Sequence, residues 1–339
     1  MKKLLVSVII PVKEINDYLR KETIPALLKQ TVKDFEIILL PDKSSKEKFA
    51  QTKIIPTWPK TGPADKRDIG AKKAKGEILA FLDDDSYPVR HWLKKAIQIF
   101  EQGNGIAGVC GPALTPPNDN LRQKASGYVW STWFGSGGAG NYRCAAKPRR
   151  EVDDYPTVNL LVKKKDFWQV GGFGSQFWPG EDTKLCHDLV YKLKKKIIYN
   201  PEVVVYHHRR EVFKPHLKQI SRYALHRGHF ARIMPQTSLR LGYISPSLFV
   251  LGLFGGPILI FVLELFQLCF LSIPLFLFYL LSVFLYFSAL LLTAFQVFLK
   301  EKNLKVALLV IPSIFITHLV YGGLFIKGFL TPNLQSRYK

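Results

Sequence analysis

The chain has 339 residues, 48 lysines and arginines against 26 acids, and a formal net charge of +22 at pH 7. That length suits one catalytic domain of roughly 200 to 250 residues plus a further region. The charge invites a nucleic-acid reading, but no helix-turn-helix, zinc-finger or RNP-like pattern accompanies it, so no nucleic-acid partner is expected. Four cysteines, Cys110, Cys144, Cys186 and Cys269, lack the spacing of a zinc site or a disulfide framework.

The opening "MKKLLVSVIIPV" imitates a signal peptide, yet its apolar part ends at Pro11, is followed by Lys13 and Glu14, and has no small-residue cleavage site. A buried first strand accounts for it. Strand-like apolar runs recur at 4–11, 35–40, 53–58, 77–82 and 108–112, with helical patterns at 16–29, 64–75 and 89–101. The alternation predicts an α/β fold, a doubly wound and mostly parallel sheet with its site along the carboxyl ends of the strands. Three of those ends carry acids, in "PVKE", "PDKSS" and "DDDSYP". In "GEILAFLDDDSYP", alternation along the strand puts Asp83 and Asp85 on one face and Asp84 on the other. Two carboxylates one residue apart suit a hard divalent cation; a solvated acidic turn capping the next helix is the competing reading.

Residues 121–154 are rich in Gly, aromatic and basic side chains, including "WFGSGGAGNYR". The stretch lacks the phosphate-cradling pattern GxxxxGK[ST] and reads as a mobile loop, a candidate lid or acceptor loop. Residues 214–232 set Leu217, Ile220, Tyr223, Ala224 and Phe230 at helical spacing among basic residues, as in an interfacial amphipathic helix. From 241 to 299 there is one acid, Glu264, and no Lys or Arg. Two membrane spans fit there, at about 247–267 and 271–298, with a third at about 304–326. Basic residues before the first span, and "KEKNLK" at 300–305, mark the cytoplasmic side and attract anionic membrane lipids. A third span would carry the closing "SRYK" to the far side, in tension with its charge. The expected organisation is a cytoplasmic catalytic domain over 1–212, a basic interfacial segment over 213–245, a membrane domain of about three helices over 246–330, and a tail.

The ordered series "SVIIPVKE", "PDKSS", "KRDIGAKKAKGEILAFLDDDSYP", "VNLLVKKKDFWQVGGF", "GEDTKLCHDL" and "PEVVVYHHRR" resembles the inverting family 2 glycosyltransferases of GT-A fold, particularly membrane-anchored members that build bacterial cell-surface polysaccharides. The resemblance covers 6–229. It implies transfer of a sugar from a nucleotide-sugar donor, UDP favoured, to a lipid-linked or growing saccharide acceptor, at the inner membrane with the catalytic domain in the cytoplasm. By it, Asp83 and Asp85 match the DxD motif, Asp85 binding Mg²⁺ or Mn²⁺ and Asp83 lying near the ribose or nucleotide. Asp42 matches a nucleobase-contacting carboxylate, and Pro11, Glu14, Arg67, Asp84 and Glu181 belong to the nucleotide-sugar site.

In "GEDTKLC" the residue matching the catalytic base is Asp182, which would take the proton of the acceptor hydroxyl. Helix N-capping is the other reading of that acid pair. His207 or His208 could add a metal ligand. "QISRY" resembles the QxxRW motif with Tyr for Trp, so Arg222 could pair with the diphosphate while Gln219 and Tyr223 face the acceptor. The chain departs from the family at Lys13, at Asp42-Lys43 and at Asp68, where Asn is common. Competing functions are a polyprenyl-phosphate glycosyltransferase, a glycoside hydrolase with two opposed carboxylates, and a non-catalytic membrane-tethered binding protein.

Overall fold

The computed structural model describes residues 5–58, 61–103, 105–174 and 177–334. In chain order the elements are β1 (Val6–Pro11), α1 (Ile24–Leu28), β2 (Phe35–Leu40), β3 (Thr52–Ile54), α2 (Pro63–Lys73), β4 (Ile78–Phe81), β5 (Ser86–Pro88), α3 (Trp92–Phe100), β6 (Ile106–Cys110) and β7 (Ala113–Leu114). There follow α4 (Leu121–Ser131), β8 (Arg150–Val152), β9 (Leu160–Lys163), α5 (Lys164–Gln169), α6 (Glu181–His187), β10 (Lys196–Tyr199), β11 (Val205–His207) and α7 (Lys214–Ile233). The chain closes with α8 (Pro235–Ser238), α9 (Leu241–Leu265), α10 (Cys269–Glu301) and α11 (Leu304–Leu330). It forms two compact units, one of Met1–Pro117 and Tyr142–His208, the other of Asn118–Asn141 and Arg209–Leu334.

The first unit is built on an eight-stranded sheet of order β3-β2-β1-β4-β9-β6-β10-β8. Strands β1, β2, β3 and β4 are parallel, as are β6 and β10, whereas β9 runs antiparallel to both its neighbours and β8 antiparallel to β10. The period-2 alternation of β1 explains why both faces are covered. Val6, Val8 and Ile10 point into one core with Leu19, Leu27, Trp92 and Leu93, while Ile9 points into the other with Leu79, Phe81, Phe167 and Phe173. Gly70 of α2 lies so close to the sheet that a Cβ there would stand 2.7 Å from Ile9. A three-stranded sheet of order β5-β11-β7 sits beside the main one.

Several sequence expectations shift. The third strand is Thr52–Ile54, shorter than the 53–58 run. "KIIYNPEVVVYHH" splits into β10 and β11, which belong to different sheets. The stretch 121–154 is not one mobile loop, because Leu121–Ser131 is helical. Its start is a capping box: the Asn120 side chain accepts from the backbone of Arg122 and Gln123, and the Gln123 side chain accepts from the backbone N–H of Asn120 at 3.1 Å. Residues 118–141 and 209–212, expected within the catalytic domain, group with the C-terminal helices.

In that second unit α9, α10 and α11 have the length and apolarity of membrane spans. Helix α4 joins them through the ring of polar contacts at Glu301, which accepts from Lys124 and from the Tyr128 hydroxyl, both at 3.1 Å. Helix α7 covers the interfacial segment expected at 214–232, with Ile220, Ala224 and Phe230 buried as their spacing predicts and Tyr223 exposed.

Candidate active site

Strand β4 ends at Phe81, so Asp83, Asp84 and Asp85 emerge from its carboxyl end into the turn before β5. The β5–β11 pairing aligns His207 with Ser86, which brings the histidine beside the preceding aspartate. The His207 imidazole Nε2 lies 3.1 Å from Asp85 Oδ1, and the backbone N–H of His208 donates to the Asp85 carbonyl at 3.1 Å. Asp83, Asp85 and His207 each offer a ligand atom, all within 4.8 Å of one another. Two carboxylates and an imidazole suit a divalent cation, the carboxylates favouring Mg²⁺ or Mn²⁺ and the imidazole favouring the transition metal of the two.

Asp84 faces inward, where Asn16 Nδ2 donates to its carboxylate at 2.6 Å. Burial, reinforced by the Asp85 and Asp83 charges on either side, pushes its carboxyl up to about 7. Asn16 also caps the turn that begins at Leu19, accepting from its backbone N–H at 2.9 Å. Asn16 was absent from the sequence-derived site, although an Asn before a helical pattern is a recognisable cap signal.

Arg67 joins two acid clusters. Carried on α2 and buried, it donates to Asp83 Oδ1 at 2.8 Å and to Glu181 Oε1 at 3.1 Å. Its Nε is a buried donor that finds no partner among the described residues, and the guanidinium lies over the Phe173 ring. Glu181 opens α6, is buried and also accepts from the Gly180 N–H at 3.0 Å. Burial and the neighbouring Asp182 charge raise its carboxyl, against the pull of Arg67. Asp182 follows in the same first turn, less buried than Glu181, and accepts from the Thr183 N–H at 2.8 Å.

Asp42 lies just past β2, pairs with the buried Lys66 ammonium, and donates its backbone N–H to the Lys13 carbonyl at 2.9 Å. Lys66 also donates to the Val12 carbonyl at 2.5 Å, so it ties the ends of β1 and β2 together; nothing in the "DKRD" pattern singled it out beforehand. Pro11 is the buried last residue of β1 and Glu14 is exposed beyond it. Asp68, the departure from Asn, accepts from the backbone N–H groups of Phe173 at 3.0 Å and Gly174 at 3.2 Å, which gives it a structural task in holding the "GGF" turn. His208 pairs with Glu22 at 3.1 Å and stacks on Tyr18, beside the acid cluster and not within its ligand set.

Buried Asn159 fixes the frame behind these residues. Its amide donates to the Gly111 carbonyl at 2.6 Å and the Val203 carbonyl at 2.7 Å, which pins the approach to β11. The first unit thus brings together Asp83, Asp84, Asp85, His207, Arg67, Glu181 and Asp182. Gln219, Arg222 and Tyr223 lie on α7 of the second unit, where Gln219 Nε2 donates to the Tyr223 hydroxyl at 3.3 Å.

Residues 7–171 match the family model described as glycosyl transferase family 2. An uncharacterized glycosyltransferase of Haemophilus influenzae is 32% identical over 119 residues, 32% of this chain and 39% of that protein. The pre-mycofactocin glycosyltransferase of Mycobacterium tuberculosis is 27% identical over 153 residues, 44% of this chain and 30% of that protein. The chain therefore matches between 30% and 39% of the length of these two curated relatives. Among solved structures, the mannosyltransferase PcManGT from Pyrobaculum calidifontis, in complex with GDP-Man and Mn²⁺, superposes with a TM-score of 0.50 at 17% identity. The superposition covers 94% of this chain and 86% of that one, and it shows a shared fold.

Proposed function

We propose that this chain, which belongs to glycosyl transferase family 2, is a membrane-bound inverting enzyme that moves a sugar from a nucleoside-diphosphate sugar to a lipid-linked or growing saccharide acceptor. The observation that carries the reading is the convergence of Asp83, Asp85 and His207 at the carboxyl end of β4. Those residues would hold Mg²⁺ or Mn²⁺, and a cation there supplies positive charge to the departing diphosphate. Arg67 holds Asp83 in place and ties it to Glu181, so its first task is to fix the spacing between the metal ligands and the start of α6. By its match to the family's base in "GED", Asp182, in the same first turn of α6 and less buried than Glu181, is the acid assigned to accept the proton of the attacking hydroxyl.

Pro11, Glu14 and Asp42, gathered at the ends of β1 and β2, line the nucleotide end, and Gln219, Arg222 and Tyr223 serve the acceptor side. The apolar C-terminal helices hold the enzyme at the inner membrane, where lipid-linked acceptors reside, with the catalytic unit in the cytoplasm. UDP is the expected nucleotide from the family resemblance, and the GDP-Man in the mannosyltransferase makes GDP the necessary comparison.

The test is nucleotide binding to the detergent-solubilised protein, with UDP, GDP and dTDP, in Mn²⁺, in Mg²⁺ and in chelator. Tight binding of one nucleotide, strongest in Mn²⁺ and lost in Asp85→Asn, is expected. Equal binding in chelator, or no binding by the folded protein, would end the donor-site reading. Metal dependence also separates this activity from the hydrolase alternative, whose paired carboxylates need no cation.

A further inference from the structure

The three long apolar helices are alike in sequence and unlike in what covers them. Beyond Leu248, α9 and the facing part of α10 expose large apolar side chains on nearly every turn, among them Phe254, Phe261, Phe278 and Phe284. Helix α11 exposes such side chains only near its ends, at Leu304, Leu308, Phe329 and Leu330. Its first half lies under α4: Val306, Ala307, Val310 and Ile314 cluster with Ala125 and Val129, and His318 meets the Gly135 carbonyl at 3.3 Å. Its second half lies under α7. His216 Nε2 is 3.1 Å from Thr317 Oγ1, and His229 Nδ1 is 3.1 Å from the Thr331 carbonyl. Two glycines let the backbones touch, since a Cβ on Gly228 would stand 2.0 Å from the Phe325 oxygen and one on Gly328 would stand 1.9 Å from the Leu225 oxygen.

Helix α7 is a poor companion for hydrocarbon. It carries Lys214, Lys218, Arg222, Arg227 and Arg232, and no acid occurs between Glu211 and Glu264. Lys214 and Lys218 are exposed and flank His216, so they lie level with Thr317, halfway along α11. Were α11 to cross the bilayer, those two ammonium groups would sit near its mid-plane, too far in to snorkel to either surface.

We propose that only the α9–α10 hairpin crosses the bilayer, out and back, and that α11, wrapped by α4 and α7, stays on the side of the catalytic unit. The dimensions agree. Leu248 to Phe266 spans about 27 Å at 1.5 Å per residue, close to the ~30 Å hydrocarbon thickness. Polar groups gather at the far tip, where the Ser272 hydroxyl donates to Glu264 and Gln267 takes a left-handed φ of 57° to turn the chain. An even number of crossings also keeps the basic joint at Lys300–Lys305 and the residues after α11 on one side, which removes the charge conflict of a third span. The proposal rests on the membrane-anchored reading above, but its test reads sidedness and not transfer, so either can fail alone.

The experiment is labelling with a membrane-impermeant maleimide in sealed right-side-out and inverted vesicles containing the full-length protein. Cys110 and Cys186 are buried; native Cys269, in a Cys144→Ser background, reports the hairpin tip. Lys46→Cys on the catalytic unit and Asn333→Cys after α11 are each made in a Cys144→Ser, Cys269→Ser background, with Pro332→Cys as a second probe should Asn333→Cys fail to fold. The expected result is that Lys46→Cys and Asn333→Cys react only from one face and Cys269 only from the other. Reaction of Asn333→Cys from the face opposite Lys46→Cys would establish a third crossing and overturn the proposal. Reaction of Cys269 from the Lys46→Cys face, or only after detergent, would overturn it by showing that the hairpin does not cross.

Discussion

The two acid clusters of the catalytic unit solve the same electrostatic problem in different ways. In "DDD" the inward acid, Asp84, has the Asn16 amide as its side-chain donor among the described residues, and burial raises its carboxyl to about 7. In "GED" the inward acid, Glu181, is met by the Arg67 guanidinium. Outward neighbours differ accordingly. Asp83 and Asp85 converge with His207 into a candidate cation site, whereas Asp182, which accepts from the Thr183 N–H, is the candidate proton acceptor. An acid between two acids can be silenced by protonation, but an acid that must fix a distance to a second cluster needs a rigid, permanently charged fork.

The largest effect that would break this contrast is on Asp182, the second acid of the "GED" cluster. Asp182→Asn should lower the transfer rate by about 10²- to 10⁴-fold, the usual worth of a positioned general base, while nucleotide binding in Mn²⁺ stays unchanged. Loss of nucleotide binding with the rate would place Asp182 in the donor site instead. Next comes the strut between the clusters. Arg67→Met strands two carboxylates, buried Glu181 and part-exposed Asp83, and should destabilise the fold by about 3–5 kcal/mol in thermal unfolding. An effect below about 1 kcal/mol would mean that Glu181 simply takes up a proton.

The silenced acid sharpens the comparison through pH. With its carboxyl pushed up to about 7 against an ordinary 3.8, Asp84 keeps a proton in the folded state that the unfolded chain gives up. Stability therefore falls as pH rises from about 4 to about 7 and levels off above that. Asp84→Asn removes this dependence, so its stability relative to the native chain should rise by about 1–3 kcal/mol between pH 4 and pH 7.5 in metal-free buffer. A flat difference across that range would show that Asp84 ionises normally. The smallest expected change is at Asp68, which accepts from two backbone N–H groups. Asp68→Asn keeps one good acceptor and should cost about 1 kcal/mol, with nucleotide binding intact.

Much of this was legible in the sequence because local rules decide it. The apolar run "ILAFL" closed by "DDD" is enough to set the three acids at a strand end, and the ordered acids at strand ends are enough to mark the edge of the sheet that matters; because β4 stops at Phe81, the turn, and not the expected strand alternation, orients Asp83, Asp84 and Asp85. What escaped depends on pairing between distant segments. No local signal says that His207 aligns with Ser86, that Lys66 closes on Asp42, or that Arg67 spans to Glu181 across 114 positions of chain. Helix α4 was hidden for another reason: the Gly and aromatic content of 121–154 masked the capping box at Asn120 and Gln123. The unlike fates of the three apolar helices were equally invisible, because hydropathy records what a helix could bury and not which neighbour covers it.

One strand bears on how the molecule comes into being. Strand β9 lies between β4 and β6 and is antiparallel to both. During synthesis, β1 to β4 can assemble from near-neighbour segments, but β6 finds both of its partners, β9 and β10, only in later parts of the chain. Until Leu160–Lys163 emerges, the exposed edges of β4 and β6 offer apolar templates to other chains, and the apolar helices that could retain the molecule at the membrane have yet to be made. The centre of the sheet is therefore closed only when this four-residue strand has been made.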